Sequence, residues 1–192
     1  MKRTLILALG IAVAAVTASA QTNWVGDKAH TNVGFTVTHM VIAEVSGLFR
    51  DTDIKVSSTS EDFNGASIEF TAKTGSIDTQ NEMRDGHLKS DDFFSAEKYP
   101  EIKFSGKLIK SGSTYTAQGK LTLHNVTRDA SFNVKYMGTI KTAQFTKAGF
   151  KLSGEINRFD YDLKWSKTLE SGGLVVGDMV QISANIELNQ AK

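Results

Sequence analysis

The chain has 192 residues, no Cys, one Pro, and 22 Lys+Arg against 21 Asp+Glu, a formal net charge of +1. The missing Cys excludes disulfides, thiol catalysis and Cys-based metal sites. The nearly even charge gives no electrostatic ground for a nucleic acid or an anionic membrane as partner, and the length suits one domain with a substantial core.

Residues 1–20 read as a secretory signal. Lys2 and Arg3 form a positive start, residues 5–16 are an apolar run too short for an ordinary membrane span, and Ala18-Ser19-Ala20 is an A-x-A cleavage site. Cleavage would leave residues 21–192 as a single domain beginning at Gln21, with Lys+Arg down to 20 against 21 acids. The alternative is a short membrane anchor. No Cys follows the apolar run, which excludes lipid attachment at a processed Cys.

From there the sequence alternates with period two. Val33, Phe35, Val37 and His39 share a face opposite Gly34, Thr36 and Thr38. Ala66, Ile68, Phe70 and Ala72 share the next, opposite Ser67, Glu69, Thr71 and Lys73. The stretch 79–94, TQNEMRDGHLKSDDFF, breaks the alternation. Thr79 and Glu82 have the spacing of a capping box, and Met83, Arg84, His87 and Leu88 behind them are helical neighbours. One short helix over about 80–90 would therefore present a cation, an imidazole and two apolar side chains together. Period two then resumes with Ile102, Phe104, Gly106 and Leu108; Ala117, Gly119, Leu121 and Leu123; Ala130, Phe132, Val134 and Tyr136; Phe150, Leu152, Gly154 and Ile156; and Val180, Ile182, Ala184, Ile186 and Leu188. Turns are expected at Asn64-Gly65, Lys110-Ser111-Gly112, His124-Asn125 and Lys147-Ala148-Gly149, and Pro100 stands at the start of a strand.

One apolar face per strand over roughly eight strands implies an all-β fold, either an antiparallel barrel or a two-sheet sandwich. Small residues recur on the inward faces (Ala66, Ala72, Gly106, Gly119, Gly154, Ala184). They either leave a lumen for one small ligand or are filled from opposite by large residues. No G-x-S-x-G, H-E-x-x-H, phosphate-binding loop or dinucleotide-binding glycine pattern is present. The four His, at 30, 39, 87 and 124, lie far apart without metal-ligand spacing, so neither metal nor resident cofactor is expected. His39 is inward by parity and reads either as a core His bonded to backbone or as a head-group contact. Arg84 beside Asp85, and Arg158 beside Asp160 and Asp162, read equally as solvated ion pairs. Asn125-Val126-Thr127 matches a glycosylation pattern but reads better as a hairpin turn.

An ordered set of segments resembles YceI-like proteins. It comprises Trp24 with Asp27 and His30, VGFTVTHM at 33–40, VSGLF at 45–49, AKTGSIDT at 72–79, RDGHLKSDDFF at 84–94, YPEIKF at 99–104, GKLTL at 119–123 before Thr127, and VGD at 176–178. Gly86 is a small departure, since glycine costs about 1 kcal/mol inside a helix. The resemblance implies an eight-stranded, lipocalin-like antiparallel barrel, exported to the bacterial periplasm. It also implies a carrier of long isoprenoid chains, such as polyprenyl pyrophosphates or the tail of a polyprenyl quinone, with the tail in the lumen.

Parity and helix geometry then give the candidate residues. His39, Arg84, His87 and Arg158 are expected at the head group. Phe35, Val37, Ile68, Phe70, Met83, Leu88, Phe104, Phe132 and Phe150 are expected along the lumen. The expected partner is a long-chain isoprenoid or similar amphiphile, without nucleic acid or stable membrane insertion, and a homodimer through exposed ladder edges is conceivable. Two alternatives stand beside the carrier. One is an enzyme on an isoprenoid or lipid amphiphile, with His39, His87 and Arg84 as acid–base or phosphate groups. The other is a stress-response barrel that holds another amphiphile or whose interior is merely core.

Overall fold

The computed structural model describes residues 20–170 and 172–191, so the signal expected over 1–20 lies, apart from Ala20, outside the described residues. Eleven strands and one helix follow in order: β1 (Thr22–Gly26), β2 (Asn32–His39), β3 (Ala43–Phe49), β4 (Thr52–Ser58), β5 (Ser67–Lys73), β6 (Ile77–Asp78), α1 (Glu82–Lys89), β7 (Glu101–Ser111), β8 (Thr114–Leu123), β9 (Val126–Lys141), β10 (Thr146–Asn157) and β11 (Val176–Gln190).

These eleven make eight barrel strands, because three long strands are each broken once. β1 pairs with β4 while β2 pairs with β3, so β1–β2 and β3–β4 are two long antiparallel strands, interrupted at 27–31 and 50–51. β5 pairs with β4 and β6 with β3, which makes β5–β6 the third, broken by a 3-10 turn at Thr74–Ser76. β7 to β11 continue the meander, and β11 closes the ring by pairing with β10 on one side and with both β2 and β1 on the other. All pairings are antiparallel, which leaves each strand one inward and one wet face.

The up-and-down order gives the barrel two different ends. One end carries the connections 58–67, 111–114 and 141–146. There Phe63, 1% exposed, fills the bore. Its ring lies 5.1 Å from those of Trp24 and Phe150 and 5.7 Å from that of Tyr136, contacts each worth about 0.5–1.5 kcal/mol beyond buried area. The Tyr115 hydroxyl donates to the carbonyl of Asp62 at 2.9 Å and ties this plug to β8. The opposite end carries the β2–β3 hairpin, the long 79–100 connection with α1, the β8–β9 turn, and the 158–175 loop.

Local details correct three expectations. The helix begins two residues later than the capping box placed it: Asn81, not Thr79, is the cap, and its side chain accepts from the Arg84 N–H. Thr79 is buried instead and donates both its backbone N–H and its hydroxyl to Asp85. Gly86 does not interrupt the helix, which runs from Glu82 to Lys89. The turn expected at Lys147-Ala148-Gly149 lies inside β10, whose inward face already includes Ala148 and Phe150, and Gly149 marks a register shift there. The chain reverses at 142–145, where the Thr142 hydroxyl accepts the N–H groups of Gln144 and Phe145. The two-residue turn at His124-Asn125 is as expected, with φ of 50° and 61°, the mirror-image geometry that suits strand twist.

The small inward residues divide into two kinds. Gly106 and Gly119 face each other across β7 and β8, where a Cβ on Gly106 would sit 2.4 Å from the Gln118 carbonyl oxygen. That pair exists to let two backbones approach, not to leave volume. A Cβ on Gly154 would likewise meet the Phe132 ring at 2.7 Å, and Ala66 is packed into the core. Only Ala72 and Ala184 of the six expected residues, joined by Ala117, face free space.

Candidate functional site: an apolar lumen with one guanidinium

Above the Phe63 plug the inward faces of the strands enclose a cavity of about 210 Å³. Phe35, Val37, Ile68, Phe70, Phe104, Phe132 and Phe150 line it, as strand parity placed them. The helix end is roofed by Leu88 from α1, by Phe93 and Phe94 just after it, and by Leu163 from the 158–175 loop. Trp165 of that loop lies against Phe93, with ring centres 5.3 Å apart. Two connections that do not touch in sequence thus form one cover. Aromatic and aliphatic walls of this kind bind long chains by burial alone, at about 0.8 kcal/mol per methylene.

Met83 does not belong to this wall. It is 87% exposed, because five helical residues place it about 140° around the helix from the inward Leu88. Arg84 also stays outside the cavity. Its Nε and Nη2 donate to the hydroxyl and carbonyl of Thr79, at 2.7 and 2.8 Å, so it braces the helix against the end of β6. His87 covers the outside of the roof. Its Nε2 pairs with Asp92 at 2.8 Å and its ring stands edge-on to Phe93 and Trp165, at 5.1 and 5.4 Å. His39 is half-buried at the tip of β2, opposite Ala43 and Val176, and does not line the cavity. It stands at the end of β2, beyond the register shift of the β2–β11 ladder between Val176 and Val180.

Arg158 is the one charged side chain of the cavity wall among the described residues. It opens a 3-10 turn after β10 that Asn157 caps, and it is 3% exposed. Its Nε donates to the carbonyl of Gly177, Nη1 to those of Leu163 and Trp165, and Nη2 to that of Val176. Four of five donors are thereby met by backbone oxygens, and the side chain clasps the roof loop to the start of β11. No carboxylate pairs with it among the described residues. Burial pushes its pKa down, against an opposing pull from Asp178. The result is a cation held in an apolar wall by carbonyl dipoles, with its guanidinium carbon 4.4 Å from the centre of the Phe159 ring.

A second polar group lies at the outer surface near the plug end, and only its Asp27 and His30 stood out in the sequence. Asp27, His30 and Glu187 bring their ligand atoms within 4.8 Å of one another. The Lys147 ammonium already stands among them, 3.1 Å from Asp27 and 2.6 Å from Glu187. Asn189 and Lys147 hold the Asp27 carboxyl well below the usual carboxylate range. These contacts tie β10, β11 and the β1–β2 break together where the barrel closes.

Comparison with known proteins agrees with this architecture. Residues 24–188 match the YceI-like domain. A UPF0312 protein of Staphylococcus aureus is 34% identical over 172 residues, covering 88% of this chain and 98% of that protein. The YCEI protein of Campylobacter jejuni superposes with a TM-score of 0.69 at 31% identity, over 86% of this chain and 96% of that one. Two more distant structures share the fold. BcnA of Burkholderia cenocepacia has a TM-score of 0.72 at 21% identity, over 84% and 98% of the two chains. A polyisoprenoid binding domain from Saccharophagus degradans has 0.62 at 14%, over 88% and 98%.

Proposed function

The chain belongs to the YceI-like domain family, and from that premise we propose that it is a carrier, not an enzyme, holding one long-chain isoprenoid lipid in its lumen. The observation that carries this reading is a bore sealed at one end, walled almost wholly by hydrocarbon, with a single guanidinium at the other end. A polyprenyl pyrophosphate or polyprenyl quinone fits that asymmetry. Its tail runs toward the Phe63 plug, and its polar end lies beside Arg158, whose fifth donor and charge favour an anionic or carbonyl group. The Saccharophagus domain, bound by name to polyisoprenoids, supports the ligand class through the shared fold. The acid–base alternative loses its geometry, since His39, His87 and Arg84 all lie outside the cavity wall. Residues 1–20 are proposed as a signal that delivers the protein to the periplasm.

The test is native mass spectrometry of protein purified without detergent, followed by organic extraction and identification of the bound compound. One isoprenoid per chain is the expected result. Protein that emerges empty, and does not take up a polyprenyl compound when offered one, refutes the carrier.

A further inference from the structure

The β2–β3 hairpin turns at the helix end through Met40, Val41 and Ile42, which are 44%, 61% and 89% exposed. Met40 and Val41 have φ of 52° and 69°, left-handed backbone that a β-branched side chain adopts only under strain. Folding requires neither feature. Asn at 40 and Gly at 41 would take up the same left-handed backbone with less strain and would hydrate better. The tip also adjoins the lumen. The Met40 N–H donates to the Val175 carbonyl at 2.8 Å, and both Val176 and Val37 line the cavity. Val41 packs on the roof loop, so closely that a Cβ on Gly173 would lie 2.8 Å from its Cγ2. A strained, apolar, exposed turn therefore touches both the wall and the cover of the bore.

We infer that this tip docks the barrel on a lipid bilayer, with Met40, Val41 and Ile42 entering the acyl layer, and that the lumen loads and unloads at that contact. The inference rests on the carrier reading above. A long isoprenoid dwells in a membrane rather than in water, so its carrier must meet a bilayer at the end that loops cover, not at the end that Phe63 fills. The sealed end exposes apolar side chains too, Ile140 at 66% and Phe145 at 47%. Its turn residues 142–145 have no left-handed backbone. With 20 basic against 21 acidic residues after cleavage before Gln21, adhesion arises from apolar insertion and is insensitive to salt.

The test is flotation of the whole protein on phosphatidylcholine vesicles at low and high salt. Wild type is compared with Met40→Asn/Val41→Gly/Ile42→Ser, and with Ile140→Ser as the control at the sealed end. Asn and Gly suit left-handed backbone, so the triple variant should melt no lower than wild type. Its flotation should fall about tenfold or more, while Ile140→Ser floats like wild type. Equal flotation of wild type and triple variant, or no flotation of wild type, overturns the docking tip. So does binding confined to anionic vesicles and abolished by salt, or a wild-type dimer, seen in sedimentation, that the triple variant dissolves. Lumen occupancy, read separately by native mass spectrometry, reports on the carrier itself, so the two readings fail independently.

Discussion

Ala184 offers the sharpest test that the lumen is space and not merely core. It is 5% exposed, lies between Leu152 of β10 and Val33 of β2, and faces the cavity. Ala184→Leu projects three more carbons into that space. At about 0.8 kcal/mol per methylene, the ligand loses the burial of three carbons, about 2.4 kcal/mol, which is roughly fifty-fold in Kd. The empty protein gains that burial instead, so its urea midpoint should equal or exceed that of wild type. In a filled core the sign reverses, because overpacking costs about 1–3 kcal/mol whether ligand is present or not. Gly106→Ala provides the contrast. Its Cβ would meet the Gln118 carbonyl oxygen at 2.4 Å, and the variant should lose about 3 kcal/mol or more, or fail to fold. The assay pairs urea unfolding of delipidated protein with displacement of a fluorescent polyene by a polyprenyl alcohol. An Ala184→Leu protein that is destabilised while its affinity is unchanged would refute the reasoning.

Arg158→Lys keeps the charge but not the fork, leaves buried carbonyls of the roof loop unpaired, and should cost about 2–3 kcal/mol by urea titration; a neutral change would mean that the clasp does not hold the roof. Arg84→Ala removes the two bonds to Thr79 and should cost about 1 kcal/mol of stability with ligand affinity unaltered; weakened binding of an anionic polyprenyl probe alone would return Arg84 to the head-group site. The carboxyl of Asp27 is held below its ordinary value of 3.8 first by Asn189 and then by Lys147. A depressed carboxyl stabilises the fold above its unfolded pKa, and that stability is lost as pH falls through the folded value. Lys147→Met removes one depressing partner, so the melting-temperature gap between wild type and variant should narrow below about pH 4, and parallel curves down to pH 2 would disprove the linkage. Finally, the intact mass of exported protein should begin at Gln21, and a mass including residues 1–20 would reject both the signal and the periplasmic assignment.

Much of the lumen was legible because period two is geometric. A residue's face follows from counting, and Phe35, Phe70, Phe104, Phe132 and Phe150 all point where the count put them. Counting fails where regular backbone ends. His39 sits beyond a register shift, and Met83, five residues before Leu88 on the same helix, cannot share its face. The small residues look alike in sequence, but Ala184 leaves room while Gly106 merely lets two strands touch, a difference set by the partner strand. Arg158 was legible as a charge near the site, yet its partners are carbonyls, which every residue carries and no sequence pattern marks. The union of Asp27, Lys147 and Glu187 arises only when the barrel closes, across separations of up to 160 positions.

The Phe63 plug has a directional consequence. A tube blind at one end cannot be threaded, so whatever goes in tail first must come out head first along the same path. For the proposed carrier, loading and unloading are then one motion run in opposite senses. Were the proposed lipid its cargo, net movement would be decided by which surface, donor or acceptor, held the polar end more tightly when the barrel arrived.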